Sequence, residues 1–279
     1  MREISITQII EAVRKLCMDA NYRLGEDVLG AFKRGLKTEE SPNGKAIFEA
    51  LLENAEIAKT EQVPMCQDTG ITVVFLEVGQ EVHITGGSLN DAINDGVRKG
   101  YEDGYLRKSI CDPFTRINTN TNTPAVIITD IVDGDIFKIT IAPKGGGSEN
   151  MSRVTMLTPS GGKNAIMDFV VQRCQEAGSN PCPPVIVAVA IGGTPEKAAI
   201  LAKRALLRDI GSENPDLELK EMESELLVRI NNLGIGPQGL GGRNYALAVH
   251  IIKHPCHIAT LPLAVNLCCH ASRHKEMVL

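Results

Sequence analysis

Eight cysteines, at positions 17, 66, 111, 174, 182, 256, 268 and 269, are the residues of this chain best suited to chemistry. Thiolates are strong nucleophiles and soft ligands for iron, zinc or copper. Two dense groups lie late in the chain, His254-Pro255-Cys256-His257 and Leu267-Cys268-Cys269-His270. No Cys-x-x-Cys pair occurs, so neither a thioredoxin-type motif nor a zinc-ribbon knuckle can be read from local spacing. Any cysteine site must therefore be assembled from distant segments. A closed zinc site wants four ligands at short spacing, whereas an iron–sulfur cluster takes thiolates that are far apart in sequence. If Cys268 and Cys269 lie on a strand they face opposite sides, so only one of them is expected to be a ligand.

The settings of the cysteines differ. Cys66 lies in Pro64-Met65-Cys66-Gln67-Asp68-Thr69-Gly70, a break just before a strand, where a loop presents side chains. Cys182 lies in Asn180-Pro181-Cys182-Pro183-Pro184, where three prolines stiffen the chain and set the direction of the thiol. Cys17 and Cys174 fall on predicted helices, where a small buried hydrophobe is the expected role. Cys111 and Cys256 stay open between packing and function. From Leu226 to Lys275 there is no Asp or Glu, while Arg229, Arg243, Lys253, Arg273, Lys275 and five of the six histidines lie there. Such a region suits an anionic substrate or a thiolate-held cofactor.

Two phosphate-binding patterns fail on context. Residues 234–239, Gly-Ile-Gly-Pro-Gln-Gly, match G-x-G-x-x-G, but that motif needs a strand before it and a helix after it. Here a charged helical run precedes it, strand-like YALAVHII follows, and Gly234 reads as a helix C-cap. Gly162-Lys163 is followed by Asn164 and lacks the earlier glycine of a Walker loop, since position 157 is Leu. Thr194-Pro195-Glu196 reads as a helix start, with an N-cap, a proline at the first turn and an acid.

Around these residues the periodicity predicts helices near 5–20, 24–36 and 43–61, a strand at ITVVFLEV, and a helix over 88–103 capped by Ser88. PAVIITDIV and DIFKITIAP, joined by Asp133-Gly134, predict an antiparallel hairpin. Helices near 161–178, 195–209 and 216–232 and the strand-like runs VIVAVAI, YALAVHII and IATLPLAVNLCC complete the chain. The expected fold class is α/β, with mixed sheets, flanking helices and a helical N-terminal portion over about 1–62, in one domain of 279 residues. With 43% hydrophobic and 23% charged residues the composition is that of a globular protein. A net charge of −5 lacks the basic footprint of nucleic-acid binding. The longest strictly apolar run, Val185 to Ile191, is far below the roughly 18 residues of a membrane span. The first residues read as an amphipathic helix and not as a signal peptide, so a cytoplasmic location is expected.

Taken together, CQDTG at 66–70, LRKS at 106–109, KGGGSEN at 144–150, NPCPP at 180–184, the LGIGPQGLGG run and HIATLPLAVNLCCHASRH at 257–274 resemble the α subunit of two-subunit class I fumarate hydratases. The resemblance runs in order over nearly the whole chain. It implies a [4Fe–4S] cluster held by Cys66, Cys182 and Cys269, with Cys269 chosen over Cys268 because it precedes His270. It implies one open iron acting as a Lewis acid on the substrate hydroxyl in the reversible hydration of fumarate to L-malate. Gln67 and Asp68 are expected at the substrate, and Arg107 has the forked donor geometry that suits a carboxylate. The backbone N–H groups of Gly145, Gly146 and Gly147 are expected to receive a second carboxylate, and His257 is a candidate proton carrier. L(+)-tartrate dehydratase α subunits are similar too, sharing the CQDTG, CPP and final cysteine elements, and mesaconate is a further substrate of the same class. KGGGSEN and the His257 segment favour fumarate. The chain stops where single-chain members continue, so a fumarate hydratase β subunit is the expected partner, in an αβ or (αβ)₂ assembly, with the α chain inactive alone. A reading from a different class is a zinc-binding module using His254, Cys256, His257 and Cys269.

Overall fold

Ser5 begins the first helix with a capping box, its hydroxyl accepting from the N–H of Gln8 while the Gln8 side chain accepts from the N–H of Ser5. The computed structural model describes residues 2–279. In chain order its first half holds β1 (Arg2–Ser5), α1 (Ile6–Tyr22), α2 (Glu26–Thr38), α3 (Pro42–Glu61), β2 (Ile71–Gly79), β3 (Val82–Thr85), α4 (Leu89–Asp103), β4 (Val126–Val132) and β5 (Phe137–Lys144). Then come α5 (Gly146–Asn150), β6 (Arg153–Leu157), α6 (Gly162–Ala177), β7 (Val185–Gly192), α7 (Pro195–Ala205), α8 (Leu217–Asn231), β8 (Ala246–His254), β9 (Leu261–Cys268) and β10 (Lys275–Val278). The expected mixed α/β class is what the chain adopts. It divides into two compact units, one of residues 2–25, 54–146 and 273–279 and the other of 26–53 and 147–272. The helical front is shared between them.

The first unit has a four-stranded sheet of order β10-β5-β2-β4 and a parallel pair β1-β3. Ile9, Val13, Leu16 and Cys17 of α1 meet Ile93, Val97 and Tyr101 of α4 over Val74, Leu76, Phe137, Ile139 and Ile141 of the sheet. The two helices pack closely because α4 has glycines at the contact. A Cβ on Gly96 would stand 2.6 Å from the Val13 Cβ, and one on Gly100 would stand 2.8 Å from that of Cys17.

The predicted hairpin of β4 and β5 does not form. β2 lies between them, parallel to β4 and antiparallel to β5. The Asp133-Gly134 turn is present, with Gly134 at φ +80°, but it arches over the end of β2. There Gly79 donates to Ile136, Gln80 to Val132 and Glu81 to Gly134. The turn signal was local and correct, whereas the strand pairing was set by the apolar run of β2, which no turn residue encodes.

The second unit has a sheet of order β6-β9-β7-β8 with helices on both faces. The alternation of VIVAVA explains this: Val185, Val187 and Val189 join α6 and α8 in one core, while Ala190 and Ala264 leave room for Ala198, Leu201 and Ala202 of α7 on the other face. Two predicted ends are corrected. The helix expected to reach 209 stops at Ala205 with Leu206 as its C-cap, and just beyond it the Arg208 guanidinium meets the Glu223 carboxylate at 2.6 and 3.1 Å. The C-cap of α8 is Asn232, and Gly234 takes its φ of +72° two residues later. No helix among the described residues is long and apolar enough to cross a membrane.

Candidate functional site

In the first unit the segment after α3 breaks into a turn that holds Cys66, Gln67 and Asp68. Its start is fixed by Met65, whose N–H donates to Asn21 and whose carbonyl accepts from the Asn54 amide at 2.8 Å. Its end is fixed by Thr69 and Gly70. The Tyr101 hydroxyl donates to both of their carbonyls, at 2.7 and 3.0 Å, and the Asn122 amide donates to the Gly70 carbonyl at 3.1 Å. Between these anchors Cys66 is half-buried, its sulfur accepting from the Asp68 N–H at 3.4 Å and its thiol donating to the Gln67 side chain at 3.3 Å. Gln67 is exposed.

Asp68 is half-buried and its carboxylate is oriented by two backbone donors. Gly70 donates to Oδ1 at 3.0 Å and Gly146 to Oδ2 at 2.7 Å. The Gly146 N–H, expected to meet a substrate carboxylate, thus already meets a carboxylate of the chain. A Cβ at Gly145 would stand 3.1 Å from Oδ2, so a larger residue there would crowd the oxygen. Arg107 is brought to the same loop through its backbone, whose carbonyl accepts from the Thr69 hydroxyl at 2.7 Å, while its side chain is exposed. The buried Leu106 anchors that stretch.

In the second unit Cys182 and Cys269 lie at the same end of the sheet. Cys182 leads into β7 and Cys269 follows β9, two strands that pair with Ile186 opposite Cys268. The peptide N–H of His270 donates to the Cys182 carbonyl at 3.3 Å. Cys182 is exposed and its φ is +53°, a left-handed conformation uncommon outside glycine. Cys268 is buried in β9, whereas Cys269 is partly exposed. Gly147 belongs to this unit, and a Cβ there would stand 3.0 Å from the Asn180 carbonyl oxygen. Cys66, Cys182 and Cys269 all lie outside the helices and strands and none is in a disulfide, so each can supply a thiolate of the kind an iron–sulfur cluster takes.

His257 stands elsewhere. It lies in the exposed stretch between β8 and β9, beside the β7 end marked by the pairing of Gly192 with His254. That is about 20 Å of strand from the Cys182 and Cys269 end. It lines an open cavity of about 530 Å³ with Lys197, His254 and Cys256, at the start of α7. The zinc reading fails on this separation, since His254, Cys256 and His257 lie at one end of the sheet and Cys269 at the other. Among the described residues no three His, Cys, Asp or Glu are gathered as a single metal ion requires.

The positive charges of the acid-free segment are largely taken up by acids from other parts of the chain. Arg229 pairs with Asp168, Arg243 with Glu40 and Lys253 with Asp216. Arg273 is different. It is 4% exposed, its Nη2 donates to the Asp68 carbonyl, and its Nε and Nη1 have no hydrogen-bond partner among the described residues. In the sequence Arg273 stands out only as a charge, and nothing marks Tyr101 or Asn122, whose hydrogen bonds shape the Cys66 loop.

A family model described as fumarate hydratase (fumerase) matches residues 10–278. A protein of Methanocaldococcus jannaschii, provisionally described as an L(+)-tartrate dehydratase subunit alpha, is 42% identical over 273 residues, covering 95% of each chain. The L(+)-tartrate dehydratase subunit alpha of Escherichia coli K12 is 32% identical over 282 residues, covering 100% of this chain and 93% of the relative.

Proposed function

The chain belongs to the fumarate hydratase family, and we propose that it is the α subunit of a [4Fe–4S]-dependent hydro-lyase that interconverts fumarate and L-malate. The observation that carries this reading is the pair of thiols at one sheet end, Cys182 and Cys269, linked through the His270 N–H. With Cys66 they make the three-thiolate donor set implied by the sequence resemblance. When bound, such a cluster supplies a Lewis-acidic iron with an open position that polarises the substrate hydroxyl.

The chain's own residues do the rest. Asp68, oriented by the N–H groups of Gly70 and Gly146, moves the proton at the carbon next to a carboxylate, where a fixed carboxylate acts as a general base. Gln67 is exposed beside it and hydrogen-bonds the substrate. The exposed Arg107 guanidinium grips one carboxylate through its forked donors; the Gly146 N–H serves Asp68, which leaves Gly147, without a side chain, to approach the other. His257 lies too far along the sheet to act beside Cys182 and Cys269 of its own chain. A β subunit completes the site in this reading, in keeping with relatives described as alpha subunits.

A second reading is supported by those same descriptions: L(+)-tartrate as substrate, dehydrated by the same groups. One experiment separates the two. The chain is co-expressed with its β partner without oxygen, its iron and sulfide are measured, and fumarate, L-malate and L(+)-tartrate are assayed at matched concentrations. Turnover of fumarate and L-malate, lost in air and absent from the α chain alone, is the expected result. Turnover of tartrate only moves the assignment to the second reading, and protein with zinc but no sulfide sinks both.

A further inference from the structure

The glycine-rich run that imitates a nucleotide motif has another use in the second unit. Between α8 and β8 it forms a tight loop in which Gly236, Gly239, Gly241 and Gly242 all have positive φ. Gln238 has φ +53° as well, although it is not a glycine. Both of its donors reach one acceptor: the backbone N–H at 2.8 Å and the side-chain Nε2 at 2.6 Å meet the carbonyl oxygen of Pro183. Pro183 follows Cys182, itself left-handed at φ +53°. On the other side of the cysteine, Gly239 packs against Ser179 so closely that a Cβ would stand 2.4 Å from the Ser179 Cβ. Ser179 in turn accepts the Cys182 N–H at 3.0 Å.

The loop is anchored from behind. The buried Glu39 carboxylate accepts from the backbone N–H groups of Arg243 and Asn244 and from the Asn244 side chain at 2.8 Å. A side chain at Gly242 would enter that carboxylate, with its Cβ 2.5 Å from Oε1. A left-handed conformation costs a residue with a side chain of order 1 kcal/mol or more, and it persists only where its surroundings over-determine it. Here two such residues are joined through a single carbonyl, and the contacts on both flanks of Cys182 come from one loop.

We propose that Gln238 is the positioning residue for Cys182, fixing the direction in which its sulfur is presented. The proposal rests on the reading of Cys182 as a cluster ligand. Gln238 holds the segment and touches neither substrate nor iron. Outer partners of this kind commonly matter to metal retention by roughly 10–100-fold.

The test uses the full chain prepared without oxygen, as parent, Gln238→Glu and Gln238→Gly. The glutamate keeps the shape but turns an oxygen toward the Pro183 carbonyl. The glycine keeps the backbone N–H and adopts the left-handed conformation freely, so it isolates the side-chain bond. Three quantities are read: loss of visible cluster absorption to a chelator, the alkylation rate of Cys182 relative to Cys256 in cluster-free chain, and the melting temperature. The expected result is cluster loss faster by roughly tenfold or more in both variants, with a severalfold change in Cys182 alkylation and an unchanged melting temperature. Rates that stay with the parent in both assays overturn the proposal, as does cluster loss that merely tracks a fall in melting temperature. A parent chain that takes up no iron and sulfide refutes the cluster reading instead, and the alkylation rates then decide the Gln238 proposal alone.

Discussion

The N–H of His270 donates to the carbonyl of Cys182 across 3.3 Å, so the residue after one candidate ligand holds the backbone of another. Cys268, one position earlier, is buried in β9. Cys182→Ser and Cys269→Ser should each abolish cluster uptake, while Cys268→Ser should leave the iron and sulfide content near that of the parent. Equal loss in all three would remove the distinction between Cys268 and Cys269.

Native alkylation should sort the thiols in the same way. Burial pushes the Cys17 thiol far above its ordinary range and raises Cys174 to about 12, against a smaller opposing effect of Arg173. Both should resist iodoacetamide until the chain unfolds, whereas the exposed Cys182 and Cys256 react in the folded state. Peptide mass spectrometry after timed labelling reads the order, and early labelling of Cys17 or Cys174 would contradict it.

Asp68→Asn preserves the size of the side chain and one acceptor oxygen for Gly70 or Gly146, but removes the base. With the β partner present, kcat should fall by roughly 10²-fold or more with little change in melting temperature. A variant that retains a third of parental turnover would exclude Asp68 as the proton-moving group.

Glu39 should make the second unit acid-sensitive. Burial opposes ionisation, but the Asn244 side chain and then the N–H groups of Ser41, Arg243 and Asn244 outweigh it and bring the carboxyl down to about 2 from an ordinary 4.5. The folded value lies below the unfolded one, so this stabilisation is complete above about pH 4.5 and disappears as pH falls toward 2, with a total of about 2–3 kcal/mol. Glu39→Gln should be less stable at neutral pH and flatter across that window in denaturant titrations. A parallel pair of curves would show that Glu39 does not titrate there.

His250 acts in a higher window. Burial first, and then the charge of Arg208, lower it to about 4 against the opposing pull of Glu223, the Ala205 carbonyl and Asp27. The folded ring is neutral and its Nδ1–H donates to the Ala205 carbonyl at 3.2 Å. Its contribution is present above the unfolded value of 6.5 and is lost as pH falls through 4. His250→Asn, which can donate to the same carbonyl, should lose less stability between those limits than the parent. An unchanged slope would assign the acid loss to other groups.

Much of the local structure was legible from residue order. The run ITQIIEAVRKLC produced α1, Ser88 capped α4, and the alternation of VIVAVA separated the two faces of β7. Residue order likewise puts Cys17 and Cys174 in cores, Cys66 in a break before a strand and Cys182 in a proline-stiffened stretch, and the first pair is buried while the second is not. These features depend on dihedral preferences, caps and periodicities that act over a few neighbouring residues, and such preferences are written in those residues themselves.

Pairing and polar satisfaction obey a different logic. The turn at Asp133-Gly134 did not reveal that β2 would enter between β4 and β5, because strands choose partners by the surface they bury together. Neither the Tyr101 hydroxyl over the Cys66 loop nor the Gln238 grip on Pro183 has a local signature, since each acceptor is more than 30 positions from its donor. The same holds for His257, a neighbour of the thiols in sequence and yet at the opposite end of their sheet. An extended strand carries its two ends apart by about 3.3 Å per residue, so residues close in order become distant in space, and only the folded sheet determines which side chains share a site.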